Sequence, residues 1–340
     1  MPHKVLIRLL FIPLFFILDG VVPLWAGDNK YLIDFPGKAA IYVNTGNTRI
    51  YKLALAAATA YHQNLHRLVD LLLAQPTLRH PRGVEPQGFL QAIEAPPGPT
   101  VPVRSFGTVY FHDYVERQGK PYCDAFTAIG MTVFVNCPWA EFDILYGSDW
   151  HDSQGRGIFD EPRKVGEIQG FPLYRDAKGD ETLILTRSSK PLWLPLSQEE
   201  FIKAWIRRME KELADDGEFG KDPSNPYRKR LERHRAVLAA MSPAERQTQA
   251  IWLRNDDPFE PDLAPPGSEF GIPQAVPNRN WFDPALPRTA VQLVAIMFNY
   301  SPNFDPDNPQ PSEDGSVAGL RVSEMKQTAD WKAVSAALSP

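Results

Sequence analysis

Thr182-Leu183-Ile184-Leu185-Thr186-Arg187, then Ser188-Ser189-Lys190-Pro191-Leu192-Trp193-Leu194-Pro195, then Leu196-Ser197-Gln198-Glu199-Glu200-Phe201 is the stretch on which the fold class turns. Its first part is a short β-rich run. Ser188-Ser189-Lys190 reads as the turn of a hairpin whose second arm is Pro191–Leu194. Pro191 and Pro195 push that arm to a sheet edge, because proline gives the ladder no N–H. The period then changes. Ser197 with Glu200 three residues on makes a capping box, and Phe201, Ile202, Trp205, Met209 and Leu213 recur at helical spacing. Strands giving way to an amphipathic helix, with more strand beyond it, make an α+β chain.

Working backwards, Ala39–Val43 is a short apolar strand closed by Asn44-Thr45-Gly46-Asn47. The clearest helix follows, over Thr48–Ala74, with Ile50, Leu53, Ala57, Tyr61, Leu65, Leu68 and Leu72 as one apolar stripe, and Pro76 stops it. Residues 76–104 are dense in proline and read as a connector laid over a surface. Strands are expected over Gly107–Val115, through the cysteine-bearing region to Asn136, and at Phe171–Tyr174, with 138–170 rich in loops. Working forwards, Asp222–Pro226 breaks the first helix of a block whose second helix spans Tyr227–Met241. Ser242-Pro243-Ala244-Glu245 is another capping box and opens a third helix reaching about Arg254. After proline-rich 255–288, Thr289–Tyr300 is the last strand, Pro302–Gly315 a polar loop and Thr328–Leu338 a terminal helix.

The expected architecture is a mixed or antiparallel sheet with a long N-terminal helix packed on it. A helical segment, about 197–254, is inserted before the last strand. An α+β body over 27–196 thus precedes the helical segment, and 255–340 returns to the body.

Leu185-Thr186-Arg187, Lys190 to Pro195 and Ser197 to Phe201 together resemble a segment of uncharacterised bacterial exported proteins. The resemblance covers residues 185–201 and implies an origin in the bacterial envelope. It carries no activity and no catalytic residue.

Composition narrows the classes. The chain of 340 residues has 33 prolines, 22 glycines, 43% apolar residues and a net charge of −5. Collagen needs far more glycine, a disordered chain has fewer apolar residues, and an acidic balance gives nucleic acid no general attraction. Prolines concentrate between the segments that read as regular structure, so they mark stiff connectors.

Met1–Ala26 reads as a secretory signal peptide: Lys4 and Arg8, the apolar run Leu9–Leu18, then Ala26 before Gly27 for cleavage. The run is shorter than the roughly 20 residues of a bilayer span, so a retained anchor is the less favoured alternative. No later segment reaches membrane length. The expectation is a soluble protein, periplasmic or extracellular after cleavage.

Export bears on Cys123 and Cys137, which an oxidising compartment pairs most simply in one disulfide bond. Thirteen residues separate them. One straight strand would hold the sulfurs roughly 45 Å apart, so pairing requires a hairpin, expected near Ala128–Gly130. The alternative makes Ala125–Val135 one buried strand with two separate thiols.

Candidate chemistry is thin. Asp149-Trp150-His151-Asp152, with Glu161 further on, could form a general base held by a carboxylate, or ligate a divalent cation. The spacing misses a calcium loop, since Gln154 stands where glycine is needed and Asp160 where glutamate is. A solvated turn is the commoner use of such residues. His62 and His66 share a helix face at zinc-ligand spacing, but Gln63 replaces the glutamate a zinc protease needs. Arg228, Lys229, Arg230, Arg233 and Arg235 could touch anionic lipid, lipopolysaccharide or nucleic acid; pairing across a helical hairpin with the acids Glu210, Glu212, Asp215 and Asp216 of the preceding helix is the favoured reading. Trp139, Trp150, Trp193 and Trp281 sit beside prolines, turns or carboxylates; exposed, with carboxylates, they would suit a carbohydrate, but core and turn packing is the commoner use. Phosphate loops, dinucleotide fingerprints and nucleophile elbows are missing from the sequence.

Two functions follow. The first is an envelope protein that binds a ligand or another envelope protein without catalysis and without a cofactor. The alternative is an extracytoplasmic hydrolase, metal-assisted or acid–base, centred on Asp149, His151 and Asp152, with Glu161.

Overall fold

Alternation of apolar and polar residues builds the body. The structure is a computed structural model that describes residues 30–45, 53–93, 100–124, 129–138, 150–176, 179–253, 262–265, 267–300 and 317–339. The signal segment, Asp149, Trp139 and the 302–315 loop lie outside the described residues. In chain order the first elements are β1 (Lys30–Tyr31), β2 (Ala40–Asn44), helices α1 (Leu55–Leu73) and α2 (Pro76–Arg79), β3 (Val84–Ala92) and β4 (Ser105–Arg117). Next come β5 (Lys120–Asp124), β6 (Gly130–Val135), β7 (Phe159–Asp160), β8 (Arg163–Ile168), β9 (Phe171–Arg175), β10 (Glu181–Thr186) and β11 (Trp193–Pro195). A helical block follows: α3 (Gln198–Asp215), α4 (Gly217–Gly220), α5 (Pro226–Ala240) and α6 (Pro243–Gln247). Then come β12 (Ile251–Leu253), β13 (Gly271–Pro277), β14 (Leu293–Asn299), α7 (Ala318–Thr328) and α8 (Trp331–Val334). The class is α+β, and the large sheet is mixed.

Along β4 the odd positions Val109, Phe111, Asp113 and Val115 are buried, while the even positions from Phe106 to Tyr114 are partly open. The sheet order is β2-β3-β4-β6-β14-β10-β9-β8, with β1 and β5 also on β4. Among the described residues only the β2–β3 pair is parallel, and the crossover between them carries α1 and α2. The helix lays Tyr61, Leu65, Leu68 and Leu72, all fully buried, on one face of the sheet. Each such leucine stabilises the fold by about 2 kcal/mol relative to exposure. Helix α1 starts at Leu55, not at Thr48: Ala54 is extended, with φ −60° and ψ 148°.

Residues 76–104 are not a surface connector. They contain α2 and the inner strand β3. Pro86 is tolerated there because Phe111, its partner on β4, donates its N–H to Ile129 on the other side. The missing donor of Pro86 therefore points away from β4, one residue before the pairing with β2 begins at Gln87. Close approach is also enforced on β4, where a Cβ at Gly107 would meet the Phe89 carbonyl oxygen at 1.7 Å.

The cysteine hairpin and the disulfide are overturned. The chain reverses earlier, at Gln118 and Gly119 (φ 53° and 72°), a two-residue turn between β4 and β5. From there β5 and β6 run in the same direction along the same side of β4. Cys123 lies opposite Tyr114, while Asn136, next to Cys137, reaches the Val103 carbonyl. The two positions are eleven residues apart along β4, about 35 Å. Neither cysteine is in a disulfide bond in this structure.

The hairpin expected at Ser188-Ser189-Lys190 does not form either. Both sides of β10 are occupied, by β9 and β14, so the chain leaves the large sheet. Ser188 Oγ donates to the Trp281 carbonyl at 2.7 Å, and β11 pairs instead with β13. Among the described residues β11, β13, β12 and β7 make a second, four-stranded sheet. Thus the proline-rich 255–288 contains a strand, and the third helix ends at Gln247, where Thr248 turns extended and leads to β12. The small sheet covers part of the large sheet's second face through Trp193, Ala275, Trp281 and Phe282, against Phe134, Ile184 and Ala295.

Helix α3 and its partners bury Phe201, Ile202, Trp205 and Met209 with Leu231 and Val276. The C-terminal helix is split. Asp330 accepts the Ala333 N–H and starts α8, so α7 ends near where one helix was expected to begin. No helix among the described residues is long and apolar enough to cross a membrane.

Candidate functional site

The 150–158 loop closes on itself. Trp150 O accepts from Ile158 N, His151 bridges to Gly157, and Asp152 N donates to Arg156 O. Neighbours in such a bridge point to opposite sides. The His151 side chain is exposed, whereas Asp152 is buried. Asp152 Oδ1 accepts the backbone N–H groups of Gln154 and Arg156 at 2.9 and 2.8 Å, and Oδ2 accepts Arg156 Nε at 2.6 Å. The carboxylate is thereby occupied in holding the turn and is not paired with His151.

Outside groups fix the loop in place. Arg207 donates to His151 O, and Arg279 donates to Gly155 O, each at 2.8 Å. Ser153 N donates to Glu200 Oε2 at 2.9 Å. This last bond explains why only half the capping box at Ser197 is built. Ser197 Oγ accepts the Glu200 N–H, but the carboxylate of Glu200 reaches across to the loop. The second box, Ser242 with Glu245, is reciprocal.

Glu161 stands apart from His151 and joins the small sheet. It accepts Trp193 Nε1 at 3.2 Å and Gln249 Nε2 at 2.5 Å. His151, Asp152 and Glu161 therefore do not converge.

His62 is buried in α1 and His66 is exposed. Burial, and then the neighbouring His66, hold the His62 imidazole below its ordinary range. Among the described residues no three histidine, cysteine, aspartate or glutamate side chains are grouped to hold a metal ion.

The basic residues of α5 are largely spent on neighbours. Arg235 pairs with Glu210 at 2.7 Å, Arg233 with Asp262 at 3.5 Å, and Arg228 donates to Gly220 O. Trp193 and Trp281 are core residues. Trp150 packs its ring edge-on to Trp205, with centroids 4.1 Å apart, under the Arg208 guanidinium. None of these three offers an open face of the kind a sugar requires.

An open aromatic surface lies elsewhere, on the part of the large sheet that the small sheet leaves uncovered. The outward row of β4 carries Thr108, Tyr110, His112 and Tyr114. Across from it on β3 stand Phe89, Gln87 and Glu85, and Tyr42 on β2 is beside Phe89. Tyr42 is 60% exposed and Tyr110 38%. The rings of Tyr42 and Phe89 are 6.2 Å apart, and Tyr110 stacks on His112 at the same distance.

One corner is acidic, with Glu85 on β3 and Asp124 on β5. The Tyr114 hydroxyl donates to Glu85, and Gln87 Nε2 donates to the same carboxylate at 2.6 Å. Burial, then the charges of Glu85, Asp124 and Asp113, push the Cys123 thiol up to about 11. A thiol held protonated is a poor nucleophile. Burial keeps His112 below its ordinary range despite the opposing pull of Glu85 and Asp124. Its buried Nδ1 has no hydrogen-bond partner.

None of these residues except Cys123 stood out in the sequence. The signal was present in Ser105–Arg117, where every second residue is aromatic, polar or histidine. A strand alternating in that way has one face that is not core.

Comparison with protein-family models, curated proteins and solved structures finds no match to this chain.

Proposed function

We propose that this protein is an exported binding module without catalysis, and that it binds through the open part of the large sheet's outer face. The observation that carries the reading is the division of that face. One part is covered by the small sheet, while the other keeps Tyr42 and Tyr110 in contact with solvent. Exposed rings on a rigid strand scaffold lose little conformational entropy on binding, which suits them to recognition. The Met1–Ala26 pattern supports export.

Two measurements test the reading. The mass of the protein recovered from the periplasm or medium of an expressing bacterium should begin at Gly27; recovery of the whole chain in the cytoplasm overturns export. The second is a thermal-shift screen of soluble cell-envelope fragments, run on the wild type and on the Tyr42→Ala/Tyr110→Ala variant. Shifts of several degrees with the wild type, lost in the variant, are expected. Shifts that survive in the variant overturn this surface, and conversion of a fragment to product overturns the non-catalytic reading.

A further inference from the structure

We infer that the occupant of the open face is an uncharged, hydroxyl-rich chain, an oligosaccharide, an inference that rests on the binding-module reading. Three features point to this class. The first is the arrangement of the rings. Tyr42, Phe89 and Tyr110 come from the successive strands β2, β3 and β4 and step across the sheet. The Tyr42 and Phe89 rings are 6.2 Å apart, comparable to the length of one sugar unit in an extended chain, and Tyr110, opposite Gln87, is the next ring along the diagonal. Successive sugar rings can therefore lay their C–H faces on successive aromatic rings.

The second feature is hydrogen bonding. Between and beside the rings, the outward positions carry Gln87, Gln91 and Thr108, with the buried Thr132 behind Thr108. Amides and hydroxyls both donate and accept, which matches sugar hydroxyls. Thr108 and Thr132 are 3.5 Å apart and Asn299 donates to Thr132 at 2.9 Å, so this polar floor is held in one geometry.

The third is charge. From Gln87 to Gln91 on β3, and from Phe106 to Tyr110 on β4, the outward positions hold no ionised side chain. Glu85 stands at one end, and its carboxylate already accepts from Tyr114 and Gln87. A charged ligand would lose hydration over this surface without gaining a counter-charge. A neutral sugar pays no such penalty. The same face thus discriminates against acidic and basic peptides.

Calorimetric titration of the full chain tests the inference with cellotetraose, maltotetraose and tetra-N-acetylchitotetraose. Tetralysine and tetraglutamate serve as charged comparisons. At least one tetrasaccharide should bind, at least tenfold more tightly than either peptide. Affinity should fall tenfold or more in Tyr42→Ala/Tyr110→Ala and in Gln87→Ala, and survive in Tyr42→Phe/Tyr110→Phe. Both tyrosines are exposed, so these variants should keep the wild-type melting temperature within a few degrees. Failure of every tetrasaccharide to bind overturns the inference. So does sugar binding that ignores the tyrosines, which also removes the face from the binding-module reading. A peptide that binds through Tyr42 and Tyr110 while the sugars do not overturns the sugar class alone.

Discussion

Asn136 shows how much one side chain can hold. It sits at the end of β6 with a positive φ of 54°, fully buried. Its Nδ2 donates to Val103 O and Ala290 O, while its Oδ1 accepts from Gln292 N and Leu293 N. Replacement by alanine removes a bond from each of these four backbone groups, of which Val103 O still accepts from the Tyr61 hydroxyl. Asn136→Ala should lower the unfolding free energy by about 3 kcal/mol or more, read from urea denaturation. Asp152 and His151 give a sharper contrast. Asp152→Ala leaves Arg156 without its carboxylate and should cost about 3 kcal/mol. His151→Ala, at an exposed position, should stay within about 0.5 kcal/mol. Equal losses for the two would restore a functional pairing between them.

Titration is argued at this scale as well. His62 and His112 are both held below the ordinary value of 6.5 in the fold, chiefly by burial. Below 6.5 the unfolded chain takes up protons that the fold resists, so stability is complete above that pH and falls as the pH drops through it. Denaturation midpoints should decline from pH 7 to pH 5. His62→Asn should flatten the decline, and an unchanged slope in that variant would exclude His62 as a source.

At the scale of elements, local signals and long-range partners divide the chain cleanly. The alternating strand at Ser105–Arg117 and the Ser197 start of α3 were legible, because their causes are local in sequence. The β3 strand was not legible, because Pro86 looks like a breaker until β2 and β4 are in place on either side. Helix α7 was equally hidden. Its first turn has no side-chain cap of its own; Asp113 from β4 accepts the N–H groups of Val317 and Ala318, both at 2.9 Å. Asp113→Ala should therefore weaken α7 by about 1 to 2 kcal/mol, seen as faster amide exchange over Ala318–Thr328 with the large sheet still protected. The candidate surface escaped notice for a related reason. Alternation says that a strand has two different faces, but only the second sheet determines how much of one face remains open.

At the scale of the molecule, two sheets share one face of the larger. The opposite face carries α1, α7 and α8 in the main core. A buried ion cluster ties these layers together: Glu181 on β10 accepts from Lys326 of α7 at 2.6 Å and from Arg175 of β9 at 2.8 Å. Glu181→Ala would leave the buried Lys326 ammonium without its carboxylate and should cost about 3 kcal/mol. The separation of the cysteines belongs to this scale too. Denatured, unreduced protein should yield two reactive thiols, and a bridge between them would require the register of β5 and β6 on β4 to be different.

The position of β14 has a bearing on how the chain folds. It lies between β6 and β10, in the middle of the large sheet, yet it is formed by residues 293–299, near the end of the chain. A growing chain can make the β2–β6 part and the β8–β10 part, but it cannot join them until Asn299 has emerged. Such late, distant pairing makes folding slow. The sheet thus withholds its central strand until residues 293–299 are made, and its two halves stay separable until then.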